Sequence, residues 1–281
     1  MKNPYLPVPV ILKNISIEND TRDLKTFDFS FTRPEDAKDF EFSPGQFAMI
    51  YINGIGEAPF GIASSPMKKN IIQFTVKRYP NGILTRALHD LQVGSEIGLR
   101  GPFGNAYPID KFESKNIFVV GGGFALTTLR SLANYILHDE NRNRFGKLTM
   151  FVAARNPSEF LYKKDLIEWN NSNNVEVIQA IDTPSENWHG EVGYAADVLK
   201  SLSISEENTI AVICGPPIMI KTCLPVLFDR GFTADRIITS LEMKMKCGIG
   251  KCGRCNIGSK YICKDGPVFS YKELQQLSKE Y

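Results

Sequence analysis

The hydrophobic pattern of the chain changes character once, near residue 110. Before that point the apolar positions come in short runs. Residues 10–17, 25–31, 46–52 and 71–77 are rich in β-branched and aromatic side chains, and each run predicts a strand. Breakers such as Ser43-Pro44-Gly45 and Asn53-Gly54 separate them. One helical interruption, residues 83–91, is entered through Asn81-Gly82. A small antiparallel barrel with one capping helix is the economical arrangement. After Asp110 the pattern becomes alternating. Residues 117–120 form an apolar run into Gly121-Gly122-Gly123, and Leu126, Leu129, Leu132, Ala133, Ile136 and Leu137 then recur at helical spacing. Strands are predicted at 148–154, 175–181, 209–214 and 237–241, with helices at 159–169, 194–202 and 218–229, the last disturbed at Pro225. Five strands alternating with helices predict a parallel, doubly wound sheet. The roughly forty residues that remain form a C-terminal appendage too small for a core of its own without a metal. The expected architecture is an α+β two-domain chain: an antiparallel barrel over 1–110, a five-stranded parallel doubly wound sheet over 111–241, and an appended segment over 242–281.

Composition narrows the partners. The 281 residues carry 33 basic and 31 acidic side chains, a net charge of +2, with no long basic run, so nucleic acid is not indicated. No apolar run reaches the roughly 18 residues of a membrane span, and Met-Lys-Asn-Pro-Tyr-Leu-Pro at the start lacks the apolar core of a signal peptide. A cytoplasmic location is expected. The cysteines agree with it, because an oxidising compartment would pair them or destroy an exposed cluster.

The chemistry concentrates in Cys247-Gly-Ile-Gly-Lys-Cys252-Gly-Arg-Cys255, followed by Cys263. Four of the six cysteines thus stand in a C-x4-C-x2-C-x7-C pattern. The first three have the spacing of a plant-type [2Fe-2S] loop completed by a more distant Cys. Gly248, Gly250 and Gly253 let backbone N–H groups approach the sulfides of a negatively charged cluster. Zinc is the chief competing reading, although structural zinc favours two short pairs and only Cys252 and Cys255 form one here. Free or disulfide-bonded thiols are the remaining alternative. Exposed charge at Lys244, Lys246, Lys251 and Arg254 suits either an acidic partner or simple solvation.

Three further stretches bear on function. Gly56-Glu57-Ala58-Pro59-Phe60-Gly61-Ile62 precedes a helix entered through Gly82, with a hydroxyl at Thr85; this is either an anion seat or a barrel strand followed by an ordinary helix start. Gly121-Gly122-Gly123 turns from strand to helix, as at a pyrophosphate site or any tight turn. Cys214-Gly215-Pro216-Pro217 repeats that strand, turn and helix order, and Cys214 reads as a small buried hydrophobe. With only three histidines, at 89, 138 and 189, a catalytic triad has little support.

These residues carry a resemblance that spans nearly the whole chain. Gly56-Glu57-Ala58-Pro59, Leu99-Arg100-Gly101-Pro102-Phe103-Gly104-Asn105, Cys214-Gly215-Pro216-Pro217 and the run from Met245 to Phe269 resemble the ferredoxin-NADP reductase superfamily. Within it, the chain is similar to the iron–sulfur flavoprotein subgroup: the dihydroorotate dehydrogenase electron-transfer subunit, the corresponding subunit of anaerobic sulfite reductase and the sulfhydrogenase gamma subunit. The resemblance implies a Greek-key barrel that binds FAD, a sheet that binds NAD(P)H, and a [2Fe-2S] segment. Pro59, Phe60, Gly61 and Ile62 would lie along the flavin, and Val76 and Lys77 near its ribityl or adenosine part. Gly82 and Thr85 would hold the pyrophosphate of FAD. Gly121, Gly122 and Gly123 would face the nicotinamide dinucleotide phosphates, and Arg155 its ribose or 2′-phosphate. Cys214, Gly215, Pro216 and Met219 would border the nicotinamide, and Cys247, Cys252, Cys255 and Cys263 would bind iron.

The implied function is a diaphorase-type subunit that moves electrons between NAD(P)H and the catalytic and iron–sulfur subunits of a hetero-oligomeric oxidoreductase. Flavin takes two electrons together and passes them on singly, and no protein acid or base is needed. Two departures from the superfamily pattern stand out. Its Arg-x-Tyr-Ser is Ala58-Pro59-Phe60-Gly61, for which Arg78 or Arg100 would compensate, and its Gly-x-Gly-x-x-Pro is Gly123-Phe124-Ala125-Leu126-Thr127-Thr128. The second departure leaves an alternative open, a flavin and iron–sulfur relay that no longer binds a nicotinamide.

Overall fold

The computed structural model describes residues 3–277. In the first half, β1 (Val8–Ile17), β2 (Leu24–Phe31), α1 (Pro34–Asp39), β3 (Phe47–Ile52), β4 (Gly56–Gly61), β5 (Ile72–Lys77), α2 (Ile83–His89) and β6 (Glu96–Phe103) follow in order. The six strands form one antiparallel sheet in the order β4-β3-β6-β1-β2-β5. Its two edges approach each other just past β4, where Ala63 N–H donates to the Gln73 carbonyl at 2.9 Å. Phe27, Phe29, Phe74, Leu12, Ile50 and Ile72 fill the interior. Two of these strands, β4 and β6, and the helix α1 lie outside the segments that the hydrophobic pattern predicts.

The second half contains α3 (Ile109–Phe112), β7 (Asn116–Gly122), a 3₁₀ turn at Gly123–Ala125, α4 (Leu126–Leu137), α5 (Asp139–Arg142) and β8 (Leu148–Ala154). It continues with α6 (Lys163–Asn170), β9 (Val175–Ile181), β10 (Glu191–Val192), α7 (Ala195–Ser201), β11 (Thr209–Cys214), α8 (Pro217–Asp229) and β12 (Ile237–Ser240). The helix expected from residue 159 starts at Lys163, because residues 157–159 form a separate 3₁₀ turn behind Asn156. The five predicted strands are parallel in the order β9-β8-β7-β11-β12, with α4 and α6 packed on one face and α7 and α8 on the other. Strand order reverses between β7 and β11, where Gly121 lies beside Cys214. Such a reversal opens a crevice at the carboxyl edge of an α/β sheet.

The C-terminal segment is not an appendage. Its β13 (Asn256–Ile257), β14 (Lys260–Tyr261), α9 (Ile262–Asp265), β15 (Val268–Ser270) and α10 (Tyr271–Leu274) are built into both halves. β15 adds antiparallel to β12, so the sheet has seven strands with β10 at its other edge. Ile257, Ile262, Cys263 and Phe269 share an apolar cluster with Phe47 and Met49 of β3. The segment therefore has a core, borrowed in part from the barrel.

Arg130 of α4 joins the two halves. It donates to Asp165 at 2.5 Å, to Gln73 Oε1 at 2.8 Å and to the Ala63 carbonyl at 3.2 Å, and its guanidinium lies over the Tyr162 ring. Beside it, Ser131 Oγ donates to the Ser64 carbonyl at 2.7 Å. Among the described residues, no helix is long and apolar enough to cross a membrane.

Candidate electron-transfer site

The cluster loop folds through three glycines in the left-handed region, Gly248, Gly250 and Gly253, with φ near +74°, +73° and +73°. That conformation turns successive N–H groups inward, as an anionic centre needs. Gly250 N–H points at Cys263 Sγ at 3.1 Å, and the N–H groups of Lys251 and Cys252 point at Cys247 Sγ at 3.3 and 3.4 Å. Burial opposes ionisation of Cys247, but the N–H groups of Ile249, Cys252 and Lys251 outweigh it and hold the thiol at about 6. Cys263 is the opposite case. Burial and the neighbouring Cys255 push it up to about 12. Cys252 also lowers the Cys247 thiol, and both Cys255 and Cys247 raise that of Cys263, so the four side chains face one another. Among the described residues, no three Cys, His, Asp or Glu side chains gather as ligands of a single ion. All six cysteines are unpaired.

The strand that leads to this loop is β3. Met49 is fully buried, pairs with Pro59 across the β3–β4 ladder, and lies against Gly248, the residue after Cys247. On β4, Pro59, Phe60 and Gly61 are half-buried, whereas the Ile62 and Val76 side chains are buried in the barrel core and offer an outside ligand only their backbone. Lys77 is paired with Asp23 at 3.5 Å. Gly82 caps α2 without any side-chain cap. The Thr85 hydroxyl donates to the Gly82 carbonyl at 3.2 Å and accepts from Tyr79 N–H at 3.3 Å, so it braces this turn. Of the two arginines expected to compensate for the missing flavin arginine, Arg100 is enclosed in bonds of its own and Arg78 stands at the surface. Arg78 pairs with Asp90, and Arg100 is held by Glu57 and by two carbonyls.

At the crevice, Gly122 and Gly215 have a packing reason to be glycine. A Cβ at either would collide with the buried Met219 side chain that lies over both. Gly123 differs, with φ near +56° and open space where a Cβ would be. The Ala125 methyl is buried in the core beneath the turn and does not project into the crevice. α4 runs on directly from the 3₁₀ turn and Leu126 N–H donates back to the Gly123 carbonyl, so the end without a side-chain cap is the start of that turn, behind Gly122. Arg155 is exposed at the end of β8. Cys214 is buried, donates to the Ser240 carbonyl at 3.5 Å, and burial pushes its thiol up to about 12. It is therefore not a nucleophile at neutral pH. Pro216 precedes α8, which Pro217 opens.

Residues 11–107 match the oxidoreductase FAD-binding domain family, and residues 119–224 match the oxidoreductase NAD-binding domain family. Residues 242–275 match the iron–sulfur cluster binding domain of dihydroorotate dehydrogenase B. The chain is 37% identical to the sulfhydrogenase 1 gamma subunit of Pyrococcus furiosus, over 97% of this chain and 93% of that protein. It is 32% identical to a probable dihydroorotate dehydrogenase B electron transfer subunit of Thermococcus kodakarensis, over 90% and 92%. The chain belongs to the iron–sulfur flavoprotein electron-transfer subunits of the ferredoxin-NADP reductase superfamily. Among solved structures, the NADH-dependent reduced ferredoxin-NADP oxidoreductase shares its fold with a TM-score of 0.72, at 24% identity over 99% of this chain and 91% of that one. As a member of that family, the chain has oxidoreductase FAD-binding and NAD-binding domains and an iron–sulfur domain.

Several residues of this site escape sequence reasoning. Met49 and Arg130 look like ordinary strand and helix positions. Asn105 reads only as the last residue of a motif, yet its side chain bonds the Asp265 and Val268 carbonyls and Val268 N–H, tying β6 to the cluster segment. Tyr107 is a second omission. Its hydroxyl is buried beside Thr128 and Cys214 at the junction of the two halves.

Proposed function

We propose that this subunit passes electrons between NAD(P)H and a partner catalytic subunit through FAD and one [2Fe-2S] cluster bound by Cys247, Cys252, Cys255 and Cys263. The observation that carries the reading is the position of β3. On one side it pairs with β4, whose Pro59, Phe60 and Gly61 would line the flavin, and Met49 on it touches the cluster loop. The two groups then share one wall. Flavin supplies the conversion of one two-electron transfer into two one-electron transfers.

The chain's own residues supply placement. The uncapped start of α2 at Gly82 would receive the FAD pyrophosphate. Gly121, Gly122 and Gly123, at the uncapped start of the turn into α4, would receive the nicotinamide dinucleotide phosphates, with exposed Arg155 beside the ribose. Cys214, Gly215 and Pro216 border the crevice where the nicotinamide would enter.

The domains divide accordingly, with 1–110 for flavin, 111–241 for nucleotide and 242–281 for the cluster; residues 1–2 and 278–281 lie outside the described ones. The cluster is the exit to the partner. Residues 242–270 hold six basic and two acidic side chains, a net charge of +4 when the whole chain carries +2, and Lys244, Lys246, Lys251 and Arg254 are exposed. An acidic iron–sulfur or catalytic subunit fits that face. The cytoplasm keeps such thiols reduced.

The test is an anaerobic visible spectrum of the purified protein before and after NADH and then NADPH. Flavin and cluster bands bleached by one nucleotide are expected. One observation favours the narrower relay reading: Met219 fills the notch between Gly122 and Gly215. Bands that neither nucleotide moves would establish that relay, and a colourless protein would overturn both readings.

A further inference from the structure

Arg100 of β6 is the most deeply enclosed cation beside the cluster loop. Its side chain is only 5% exposed. Nε and Nη2 grip Glu57 as a two-pronged fork at 2.8 and 2.7 Å. Nη1 donates to the Pro4 carbonyl at 2.7 Å, and Nη2 also donates to the carbonyl of Cys247 at 3.2 Å. The guanidinium is thus bonded to the backbone of a cluster cysteine.

Its counter-charge is more exposed. The Glu57 side chain is 31% exposed, against 5% for Arg100, and both line an open groove of about 510 Å³ with Tyr5, Tyr51 and Cys247. Water in the groove therefore screens the more exposed carboxylate more than the guanidinium that bonds the Cys247 carbonyl. Seen from Cys247, the pair is not neutral; the cation dominates. A cluster gains one negative charge on reduction, and a nearby, less screened cation stabilises that form.

We propose that Arg100 is a positioning charge that raises the reduction potential of the cluster, and that Glu57 sets how much of that charge the cluster feels. Glu57 and Pro59 lie on the strand proposed for flavin, so the same pair ties that strand to the cluster loop. The inference rests on the [2Fe-2S] reading above.

The experiment is a redox titration of the full chain, purified anaerobically and followed by electron paramagnetic resonance. Arg100→Met is expected to lower the cluster potential and Glu57→Gln to raise it, with Arg100→Lys between Arg100→Met and the wild type. Opposite signs are the discriminating feature, since a loop that was merely loosened would shift in the same direction in both variants. Should Arg100→Met lose its cluster, the upward shift in Glu57→Gln and the intermediate value of Arg100→Lys still decide the matter. A loaded cluster whose potential is unmoved in Glu57→Gln, or shifts downward, overturns the inference and leaves the cluster reading intact. Absence of a two-iron signal from the reduced wild-type protein overturns the cluster reading itself, and this inference with it.

Discussion

Replacing Asn105 by Ala should release the cluster segment without disturbing the flavin half. The side chain makes three bonds across the boundary: Nδ2 to the Asp265 carbonyl at 3.1 Å, Nδ2 to the Val268 carbonyl at 2.7 Å, and Oδ1 from Val268 N–H at 2.9 Å. At about 1 kcal/mol net for each bond, the loss is about 3 kcal/mol, and stranding the buried backbone of Val268 adds to it. A loss of about 3 kcal/mol shifts the docking equilibrium of the segment by roughly a hundredfold. Asn105 N–H still donates to the Gly266 carbonyl at 2.5 Å, so the segment is loosened and not expelled. The assay is the rate at which an iron chelator bleaches the cluster absorption, read beside hydrogen exchange at the Val268 amide. Both should accelerate by the same factor, because iron loss then proceeds through local opening. Asn105→Asp keeps the acceptor for Val268 N–H but sets a carboxylate oxygen against the Asp265 and Val268 carbonyls, so a rate at least as fast as that of Asn105→Ala is expected. Iron loss at the wild-type rate with Val268 still protected would refute the reasoning. So would flavin loss that precedes iron loss.

Three further outcomes are expected. Gly61→Ser should lower flavin occupancy, since a Cβ at residue 61 meets Thr128 Cγ2 at 2.7 Å, and adding Thr128→Ala should restore it; flavin absorbance per protein measures both. Burial lowers the pKa of His89 below 6.5, and the Val76 carbonyl at 2.8 Å only partly offsets this, so the folded barrel binds the proton less readily than the unfolded chain. Stability is then complete above about pH 6.5 and declines as the pH falls below it, and His89→Gln should flatten the slope of denaturation midpoint against pH. Electron transfer to an acidic partner should slow as salt rises past about 0.1 M, where the screening length falls to about 10 Å, and a Lys246→Glu, Lys251→Glu double variant should abolish that salt dependence in stopped-flow traces.

The alternating half of the fold was plain in the sequence because its central strands β7, β8 and β11 are largely apolar runs, whereas β9, at Glu176 and Gln179, already carries polar positions. The barrel was half legible. β4, written Gly-Glu-Ala-Pro-Phe-Gly, has no strand propensity, and it is a strand only because it lies at the sheet edge, where Pro59 removes no necessary ladder bond. β6 contains Gly98 and Gly101, and a Cβ at Gly98 would meet the Pro7 side chain at 2.7 Å, so close approach and not propensity selects the residue. Spacing alone was enough to nominate the four cysteines as ligands, because the ligands of such a loop are local. What the loop leans on, Met49, Phe103 and Asn105, comes from residues about 145 to 200 positions earlier, and no local pattern reports such contacts.

The two departures from the superfamily pattern meet in space, and this changes their meaning. Read along the chain, the loss of a hydroxyl at Gly61 and the loss of a proline at Thr128 are unrelated weakenings of two cofactor sites. In the fold, Gly61 lies against the Thr128 methyl, and the Thr128 hydroxyl donates to the Ala125 carbonyl at 3.1 Å while lying 3.8 Å from Cys214 Sγ. Thr128 therefore closes the turn by a hydrogen bond where proline would stiffen it covalently. Its bulk fills the space that a side chain at 61 would need, so glycine at 61 follows from threonine at 128. One compensated exchange at the boundary between the two halves replaces two independent losses, and the Ala125 methyl, turned into the core, leaves the crevice open at Gly123. The altered turn is then no reason in itself to deny this subunit a nicotinamide.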